Sequence, residues 1–247
     1  PGLMEAALLI IVVVFLVRRN DYGNKVEKAD WGLFRRRLPK ASAALAMPVF
    51  VIGSIYAGLL TPTEAAAFSA VYALFLVLLV YRTVNLPAFW AVARESLLQT
   101  TMIFAVVMGG SLIGFVMARM GVSAQLVSLI SDTNMSPWVF LLVVNVLLLL
   151  LGMFLDGISL IVLTAPLLFP MATALGIDPI HFSVIMVANV EIATLTPPIG
   201  LNLFVMSGIA RIPVHEVARG VLPFFAVRMT GLMLITYVPA ISLALVR

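Results

Sequence analysis

Residues 191–202 read Glu-Ile-Ala-Thr-Leu-Thr-Pro-Pro-Ile-Gly-Leu-Asn and interrupt an apolar run that extends over 182–210. Pro197 and Pro198 lack backbone N–H donors, and a proline disfavours helical geometry in the residue before it. A helix through this run is therefore predicted to unwind at its middle and to free backbone carbonyls one turn upstream. Freed carbonyls and threonine hydroxyls can hold a cation, while the positive end of the second half-helix can face an anion. We interpret the segment as a binding site, with a simple proline kink as the alternative.

The composition places this segment in a membrane. Hydrophobic residues make up 63% of the 247 residues and charged residues 11%, and the mean hydropathy is +1.16, whereas a soluble domain carries about 25% charged residues. Irregular backbone at membrane depth is tolerated only where it is buried in protein or lines a wet cavity. We therefore predict an all-α integral membrane protein. Its apolar runs cover 3–17, 41–60, 64–81, 97–118, 138–155, 158–175, 182–210 and 221–246.

Basic residues are concentrated in one connection, from Arg18 to Lys40, which holds eight of the 15 Lys and Arg residues. The positive-inside rule makes this connection cytoplasmic, and threading the later runs from it places 176–181 outside. Residues 31–38 alternate apolar and arginine side chains, which predicts an interfacial amphipathic helix, with a solvated loop as the alternative. A second interfacial helix is expected at 213–219. Nucleic-acid binding is not expected, because it needs a basic surface in water.

Two further points interrupt the apolar runs and have local explanations. The stretch Thr61-Pro62-Thr63-Glu64 predicts a capping box at the start of a helix, with a polar contact inside the bundle as the alternative. The stretch Gly109-Gly110-Ser111, followed by Gly114, predicts close packing of two helices, with functional unwinding as the alternative.

The stretch from Gly152 to Ser159 separates two very apolar arms, 138–155 and 158–175. An ordinary hairpin would turn at the cytoplasmic surface, whereas a re-entrant hairpin would place its tip near the bilayer midplane. The count of crossings and the two prolines of the second arm favour re-entry. Asp156 would then be an ionisable group inside the membrane and a candidate site residue. A carboxylate beside carbonyl oxygens suits Na⁺ better than a transition metal.

Four stretches, in order along the chain, resemble the large membrane subunit of tripartite ATP-independent periplasmic (TRAP) transporters, in the part that follows the midpoint of that subunit. They are 58–67 (GLLTPTEAAA), 151–156 (LGMFLD), 176–182 (GIDPIHF) and 195–204 (LTPPIGLNLF). Together they extend across most of the chain. Because the chain begins at Pro1 without a signal-peptide pattern, and the family subunit has about twice this length, we expect a portion of a longer protein.

The resemblance implies half of an inverted-repeat elevator transporter, with transmembrane helices, one re-entrant helical hairpin and one interrupted helix. Four parts follow from it. They are the end of a transmembrane helix with a cytoplasmic amphipathic connection (1–40), scaffold-type transmembrane helices (41–137), the transport-type hairpin and interrupted helix (138–211), and an interfacial segment with the final transmembrane helix (212–247).

The activity implied by the resemblance is Na⁺-coupled import of an organic acid, such as sialic acid or a dicarboxylate, across a bacterial inner membrane. The implied partners are a small membrane subunit, a periplasmic substrate-binding protein, the N-terminal half of the same subunit and the lipid bilayer. No enzymatic activity and no cofactor are expected, and Na⁺ serves as the coupling ion. The alternative is a channel-like or structural subunit of a membrane complex, which would not accumulate a substrate against its gradient.

Carried over residue by residue, the resemblance assigns a site between the hairpin tip and the interrupted helix. The implied Na⁺-binding residues are Gly152, Asp156, Gly157, Thr194, Thr196 and Gly200. The implied substrate-binding residues are Ser159, Pro197 and Asn202. At the position of Glu191 the family pattern predicts a small or apolar residue. We therefore interpret Glu191 as a variant contact or as a residue that tunes substrate selectivity.

Overall fold

The structure, a computed structural model, describes residues 1–20, 31–197 and 200–244, and in these ranges the chain forms helices and no strand. The helices are α1 (Gly2–Asn20), α2 (Trp31–Tyr56), α3 (Pro62–Phe75) with a π-helical extension (Leu76–Val80), α4 (Leu86–Arg119), α5 (Val122–Asp132), α6 (Pro137–Gly152), α7 (Gly157–Ala174), α8 (Pro179–Ala193), α9 (Leu201–Ala210), α10 (Val214–Tyr237) and α11 (Pro239–Leu243).

Several helices are suited to a lipid environment. Within the described residues, four of them are long and apolar enough to cross a membrane: Pro62–Val80, Leu86–Arg119, Gly157–Ala174 and Val214–Tyr237. Large apolar side chains on these and other helices are exposed, for example Val71 at 67%, Leu112 at 64% and Ile209 at 73%. Such surface is stable against lipid and costly in water. The predicted all-α integral membrane protein is confirmed.

The helices form two compact units, one of Pro1–Gly23 with Thr101–Arg247 and one of Asn24–Thr100. The first unit contains a core where α6, α7, α8 and α10 meet. Its fully buried side chains include Leu148, Leu160, Phe182, Ile192 and Leu232. The hairpin and the interrupted helix therefore share one core. The predicted division at 41–137 and 138–211 concerns which parts move together, and it stays a prediction.

The second unit contains the predicted amphipathic segment as the first part of α2. The segments Trp31–Leu38 and Ala41–Tyr56 differ in direction by 65°, which suits a helix that leaves an interface and enters a bilayer. The later part of α2 packs on α3, where the Tyr72 hydroxyl donates to the Ala43 carbonyl over 2.8 Å. Residues 21–30 of the basic connection lie outside the described residues.

The capping box at the start of α3 is confirmed. The Thr61 backbone N–H donates to Glu64 Oε2 over 2.8 Å, and the Glu64 N–H donates to Thr61 Oγ1 over 3.4 Å. The Thr61 hydroxyl also donates to the Glu64 carboxylate over 2.7 Å. These bonds satisfy N–H groups that have no partner in the first turn of a helix. The polar side chains of this stretch are thus explained by helix capping.

The glycine-rich stretch of α4 is a packing surface, as predicted, and α4 passes through it without a break. A Cβ atom at Gly110 would lie 2.0 Å from Cγ1 of Val162 on α7, and one at Gly114 would lie 3.4 Å from Cγ of Pro166. The absence of side chains lets α4 approach α7 more closely than larger residues allow.

Residues 214–219 form the first turns of α10 rather than a second helix of their own, and their position at the membrane interface stays a prediction. Pro213 precedes the helix, where its missing N–H costs nothing. The helix then continues past Pro223 to Tyr237. A proline inside a membrane helix is tolerated when neighbouring groups satisfy the freed carbonyl.

Gly110→Ala is expected to destabilise the protein by about 1–3 kcal/mol, because the new methyl group overlaps Val162, whose branched side chain has little rotational freedom in a helix. The matched control is Gly109→Ala, since a Cβ there meets no atom within 4 Å. That change is expected to be neutral or to stabilise by up to about 1 kcal/mol through helix propensity. Thermal unfolding in detergent measures both, and equal midpoints for the two variants would contradict the packing role.

Candidate functional site

The interrupted helix is present in the structure. Helix α8 ends at Ala193, Thr194 serves as its C-cap, and α9 begins at Leu201. Gly200 has a φ of +33° and precedes α9 as its N-cap. Residues 198–199 lie outside the described residues. The predicted unwinding is confirmed at the position of the Thr-Pro-Pro stretch.

Neither half of the interrupted helix is long enough to cross a bilayer alone. Helix α8 has 15 residues and α9 has 10, which correspond to about 22 Å and about 15 Å at 1.5 Å per residue. The hydrocarbon core is about 30 Å thick. A chain that enters the bilayer with α8 therefore reaches the break before it reaches the opposite surface.

The backbone at the break rearranges its hydrogen bonds rather than leaving its upstream carbonyls without partners. The Thr196 N–H donates to the Ala193 carbonyl over 3.0 Å, and the Asn202 N–H donates to the Thr194 carbonyl over 3.2 Å. The prediction that both carbonyls are free is therefore wrong. The chain turns tightly enough for the N–H groups of Thr196 and Asn202 to replace those missing from the prolines. Each carbonyl oxygen keeps a second lone pair for another ligand.

Two side-chain contacts hold the break together. The Asn202 amide donates through Nδ2 to Thr194 Oγ1 over 3.0 Å, and this joins α9 to the end of α8. The buried Thr196 hydroxyl donates to the Ile192 carbonyl over 2.8 Å. A Cβ atom at Gly200 would lie 2.8 Å from the Thr196 carbonyl oxygen. Only glycine suits this position, because the space is closed and φ is positive.

The predicted hairpin consists of α6 and α7, with a four-residue tip, Met153–Asp156, between them. Asp156 is the N-cap of α7, where its Oδ2 accepts the N–H groups of Ile158 and Ser159, each over 3.1 Å. The Ser159 hydroxyl donates to Oδ1 of the same carboxylate. The predicted site residues Asp156 and Ser159 thus contact each other, and Asp156 also caps α7, a role that was not predicted.

Two glycines of the hairpin bring its tip against the last turn of α8. A Cβ atom at Gly152 would lie 2.4 Å from Cβ of Ala193, and one at Gly157 would lie 2.5 Å from Cγ1 of Val190. Any side chain at either position would separate the hairpin from α8. The tip therefore contacts the residues that directly precede the break, as the sequence analysis expected of a shared site.

The predicted site residues form two groups in the structure. One group, at the hairpin tip and the start of α7, contains Asp156 and Ser159, and the other, at the break and the start of α9, contains Thr194, Thr196 and Asn202. Among the described residues, no hydrogen bond joins the polar side chains of one group to those of the other. The carboxylate of Asp156, the ring of Pro197 and the amide of Asn202 are exposed. These groups are thus accessible to an ion, a substrate or another part of a longer protein.

The atoms of these two groups that could coordinate a cation are oxygen atoms. Over the described part of the chain, no group of three or more His, Cys, Asp and Glu side chains could hold a metal ion. Hydroxyl, carbonyl and carboxylate oxygens suit a hard cation such as Na⁺. The break also borders a cavity of about 190 Å³ against α10, lined in part by Thr196, Pro197 and Phe225. The residues present therefore fit an alkali cation better than a transition metal.

A buried amide cluster was missed from the sequence. Asn189 Nδ2 of α8 donates to Asn145 Oδ1 of α6 over 2.7 Å, and Asn145 Nδ2 donates to Thr236 Oγ1 of α10 over 3.0 Å. All three side chains are at most 1% exposed. Two asparagines inside apolar runs were the signal that could have indicated it, because interhelical hydrogen bonds link helices within apolar surroundings. The cluster joins the hairpin, the interrupted helix and α10.

An ion-pair network was also missed. Arg228 on α10 contacts Glu5 on α1 over 3.0 Å and also contacts Glu191 on α8. Ionisable residues inside apolar runs are rare and usually paired, so Glu5 and Arg228 could have been singled out from the sequence. Glu191, which was interpreted as a variant contact, is an ion-pair partner of Arg228.

The whole chain is similar to known transporter subunits. The family described as "Tripartite ATP-independent periplasmic transporter, DctM component" matches residues 1–241. The chain is 41% identical to the C4-dicarboxylate TRAP transporter large permease protein DctM of Rhodobacter capsulatus, over 99% of this chain and 56% of that protein.

The names of other relatives mention different substrates. The sialic acid TRAP transporter large permease protein SiaM of Vibrio cholerae is 38% identical, with 99% of this chain and 57% of that protein covered. The ectoine/5-hydroxyectoine protein UehC of Ruegeria pomeroyi is 31% identical, with 99% and 57% covered. These relatives are transporter permeases by name, and the chain spans just over half of their length. With its family match over 1–241, the chain belongs to the DctM-component family of tripartite ATP-independent periplasmic transporters.

Proposed function

We propose that this chain forms the C-terminal portion of the membrane subunit of a Na⁺-coupled secondary transporter that imports an organic acid. The observation that carries the proposal is the contact of the hairpin tip with the last turn of α8, directly before the break. A discontinuous helix beside a second broken element is the arrangement from which midplane transport sites are built. The subunit would lie in a bacterial inner membrane and would work with a small membrane subunit. It would receive its substrate from a periplasmic binding protein.

The tip of the hairpin supports a re-entrant position in the bilayer. Met153, Phe154 and Leu155 are apolar, and Phe154 is 63% exposed. A turn at the aqueous surface would be expected to expose polar residues. Helix α6 has only 16 residues, or about 24 Å, which is short for a span of about 30 Å. An apolar tip on a short arm suits a loop that lies within the bilayer.

The Na⁺ ion would lie between the hairpin tip and the break. We assign its ligands to oxygen atoms of Asp156, Thr194 and Thr196 and to the backbone at Gly152, Gly157 and Gly200. The Asp156 carboxylate accepts three hydrogen bonds from its own helix, and a carboxylate has about four acceptor positions. It therefore keeps the capacity for a cation while it caps α7. The local donors also hold it in one orientation, which lowers the entropic cost of binding.

The substrate would contact the half-buried Ser159 and the exposed Pro197 and Asn202. Helix α9 begins directly after the break and without a side-chain cap, so the positive end of its dipole lies at the break. A carboxylate group of the substrate is favoured there. A dicarboxylate and sialic acid both carry such a group.

The shared core supports movement of the hairpin and the interrupted helix as one body. Helices α6, α7, α8 and α10 bury their apolar side chains against one another, and the Asn145–Asn189–Thr236 cluster links three of them. An elevator mechanism needs such a body, because the site must cross the membrane without losing its shape.

Asp156→Asn tests the ion site, because asparagine still caps α7 but lacks the negative charge. The Na⁺ concentration for half-maximal uptake is expected to rise about 10-fold, which corresponds to about 1.4 kcal/mol of lost Na⁺ binding. The measurement is substrate uptake into proteoliposomes by the complete transporter over a range of Na⁺ concentrations.

The matched control is Asp178→Asn. Asp178 caps α8 in the same way, accepting the N–H groups of Ile180 and His181 over 2.8 and 3.3 Å. This variant is expected to keep the Na⁺ dependence of the unchanged protein. An equal Na⁺ dependence in both variants would remove Asp156 from the ion site.

Gly200→Ala tests the shape of the break. The new Cβ would lie 2.8 Å from the Thr196 carbonyl oxygen at a φ of +33°, so the break must change shape at a cost above about 1 kcal/mol. Most Na⁺-dependent uptake is expected to be lost, when uptake is normalised to the amount of folded protein. Gly208→Ala in α9 is the control, because no atom lies within 4 Å of its Cβ position. Full activity in Gly200→Ala would argue against a role for this backbone shape.

A further inference from the structure

Arg228 contacts carboxylates from two other helices. Its Nη2 atom lies 3.0 Å from Glu5 Oε2 of α1, and it also donates to Glu191 Oε2 of α8. The side chains of Arg228 and Glu5 are 14% and 11% exposed, whereas that of Glu191 is 52% exposed. Residues that are far apart in sequence therefore meet at one guanidinium group, which we name the Arg228 clamp.

The charges of the Arg228 clamp are expensive to place in an apolar helix. An unpaired arginine inside a membrane segment is strongly disfavoured, so it is retained where it has partners and a function. Removing one partner of a buried ion pair leaves an uncompensated charge. Simple packing of α10 against α1 and α8 requires no such arrangement, because apolar side chains could fill the same space.

The clamp is linked to the break through Glu191. The backbone carbonyl of Glu191 accepts the Thr194 hydroxyl over 2.8 Å. The oxygen of that hydroxyl accepts the Asn202 amide over 3.0 Å. Arg228 thus holds the side chain of the residue whose carbonyl anchors the upstream end of the break. A displacement of Glu191 would be transmitted to Thr194 and Asn202 by two short hydrogen bonds.

We propose that Arg228 is a positioning residue for the break. Through Glu191 it fixes the last turn of α8, and with it the Thr194 end of the ion site. The inference rests on the Na⁺ site described under the proposed function and adds a residue that contacts neither the ion nor the substrate. Loosening the clamp weakens Na⁺ binding, because part of the binding energy is spent on ordering the break. The maximal uptake rate at saturating Na⁺ is retained.

The test compares Arg228→Lys, Arg228→Gln and Glu191→Gln in the complete transporter in proteoliposomes. In Glu191→Gln and Arg228→Gln, the Na⁺ concentration for half-maximal uptake is expected to rise about 2- to 30-fold, the range for residues that act through another group. The maximal rate is expected to stay unchanged. Arg228→Lys is expected to restore part of the affinity, because an ammonium group keeps the charge but not the planar fork. If Arg228→Gln does not fold, Glu191→Gln still tests the proposal. This variant is expected to fold, because Glu191 is half exposed and the change is conservative.

Two further variants separate positioning from simple stabilisation. Glu5→Gln removes the other carboxylate and leaves the pair of Arg228 with Glu191, so it is expected to lower thermal stability and to shift the Na⁺ dependence less than Glu191→Gln. Glu216→Gln changes an exposed charge at the start of α10 and is expected to change neither quantity.

Three outcomes decide the matter. A raised half-saturating Na⁺ concentration at an unchanged maximal rate in Glu191→Gln supports the inference. An unchanged Na⁺ dependence in both Glu191→Gln and Arg228→Lys, with Na⁺-dependent uptake by the unchanged protein, overturns the inference and leaves the proposed function in place. Uptake by the unchanged protein that does not depend on Na⁺ overturns both.

Discussion

The constraint on which this structure depends is that a peptide group surrounded by hydrocarbon has no water to bond with. Helix α8 stops at Ala193, yet the carbonyl of Thr194 receives the N–H of Asn202, which restores a bond that a proline has removed. The Asn202 amide and the Thr194 hydroxyl add a second link across the same gap. The interruption is thus a specific backbone shape with its own hydrogen bonds. It is available for binding because its carbonyl and hydroxyl oxygens keep further lone pairs.

Close approach of the hairpin to α8 places a second set of oxygen atoms near this shape. Gly152 and Gly157 allow the contact with Ala193 and Val190, and Asp156 begins α7 at the point where the tip ends. The buried amide cluster and the Arg228 clamp then connect these elements to α10, and the clamp adds α1. Apolar packing alone provides little preference for one helix arrangement over another in lipid. The hydrogen bonds of the amide cluster and the ion pairs of the Arg228 clamp therefore fix the positions of the hairpin and the interrupted helix relative to α10.

Much of the fold could be predicted from the sequence, because membrane helices and their interruptions follow from apolar runs and prolines. The capping box at Thr61, the packing role of Gly110 and the break after Ala193 all follow from local rules. The hydrogen bond of Asn202 with Thr194 could not be predicted, since it depends on how tightly the chain turns. The pairing of Glu5, Glu191 and Arg228 joins residues far apart in sequence, and a single sequence gives no distances between helices. The capping role of Asp156 could have been predicted, because an aspartate directly before a helical run is a typical N-cap.

The central claim is that the break lies within the hydrocarbon layer and holds a cation facing the hairpin tip. The most direct test is a density map of the complete transporter in lipid nanodiscs, determined once in Na⁺ and once with Na⁺ replaced by choline. The account predicts a broken helix at bilayer depth, with density between the Thr194–Thr196 backbone and the hairpin residues Gly152–Asp156 only in Na⁺. An intact helix against lipid, or a break outside the hydrocarbon layer, would contradict it.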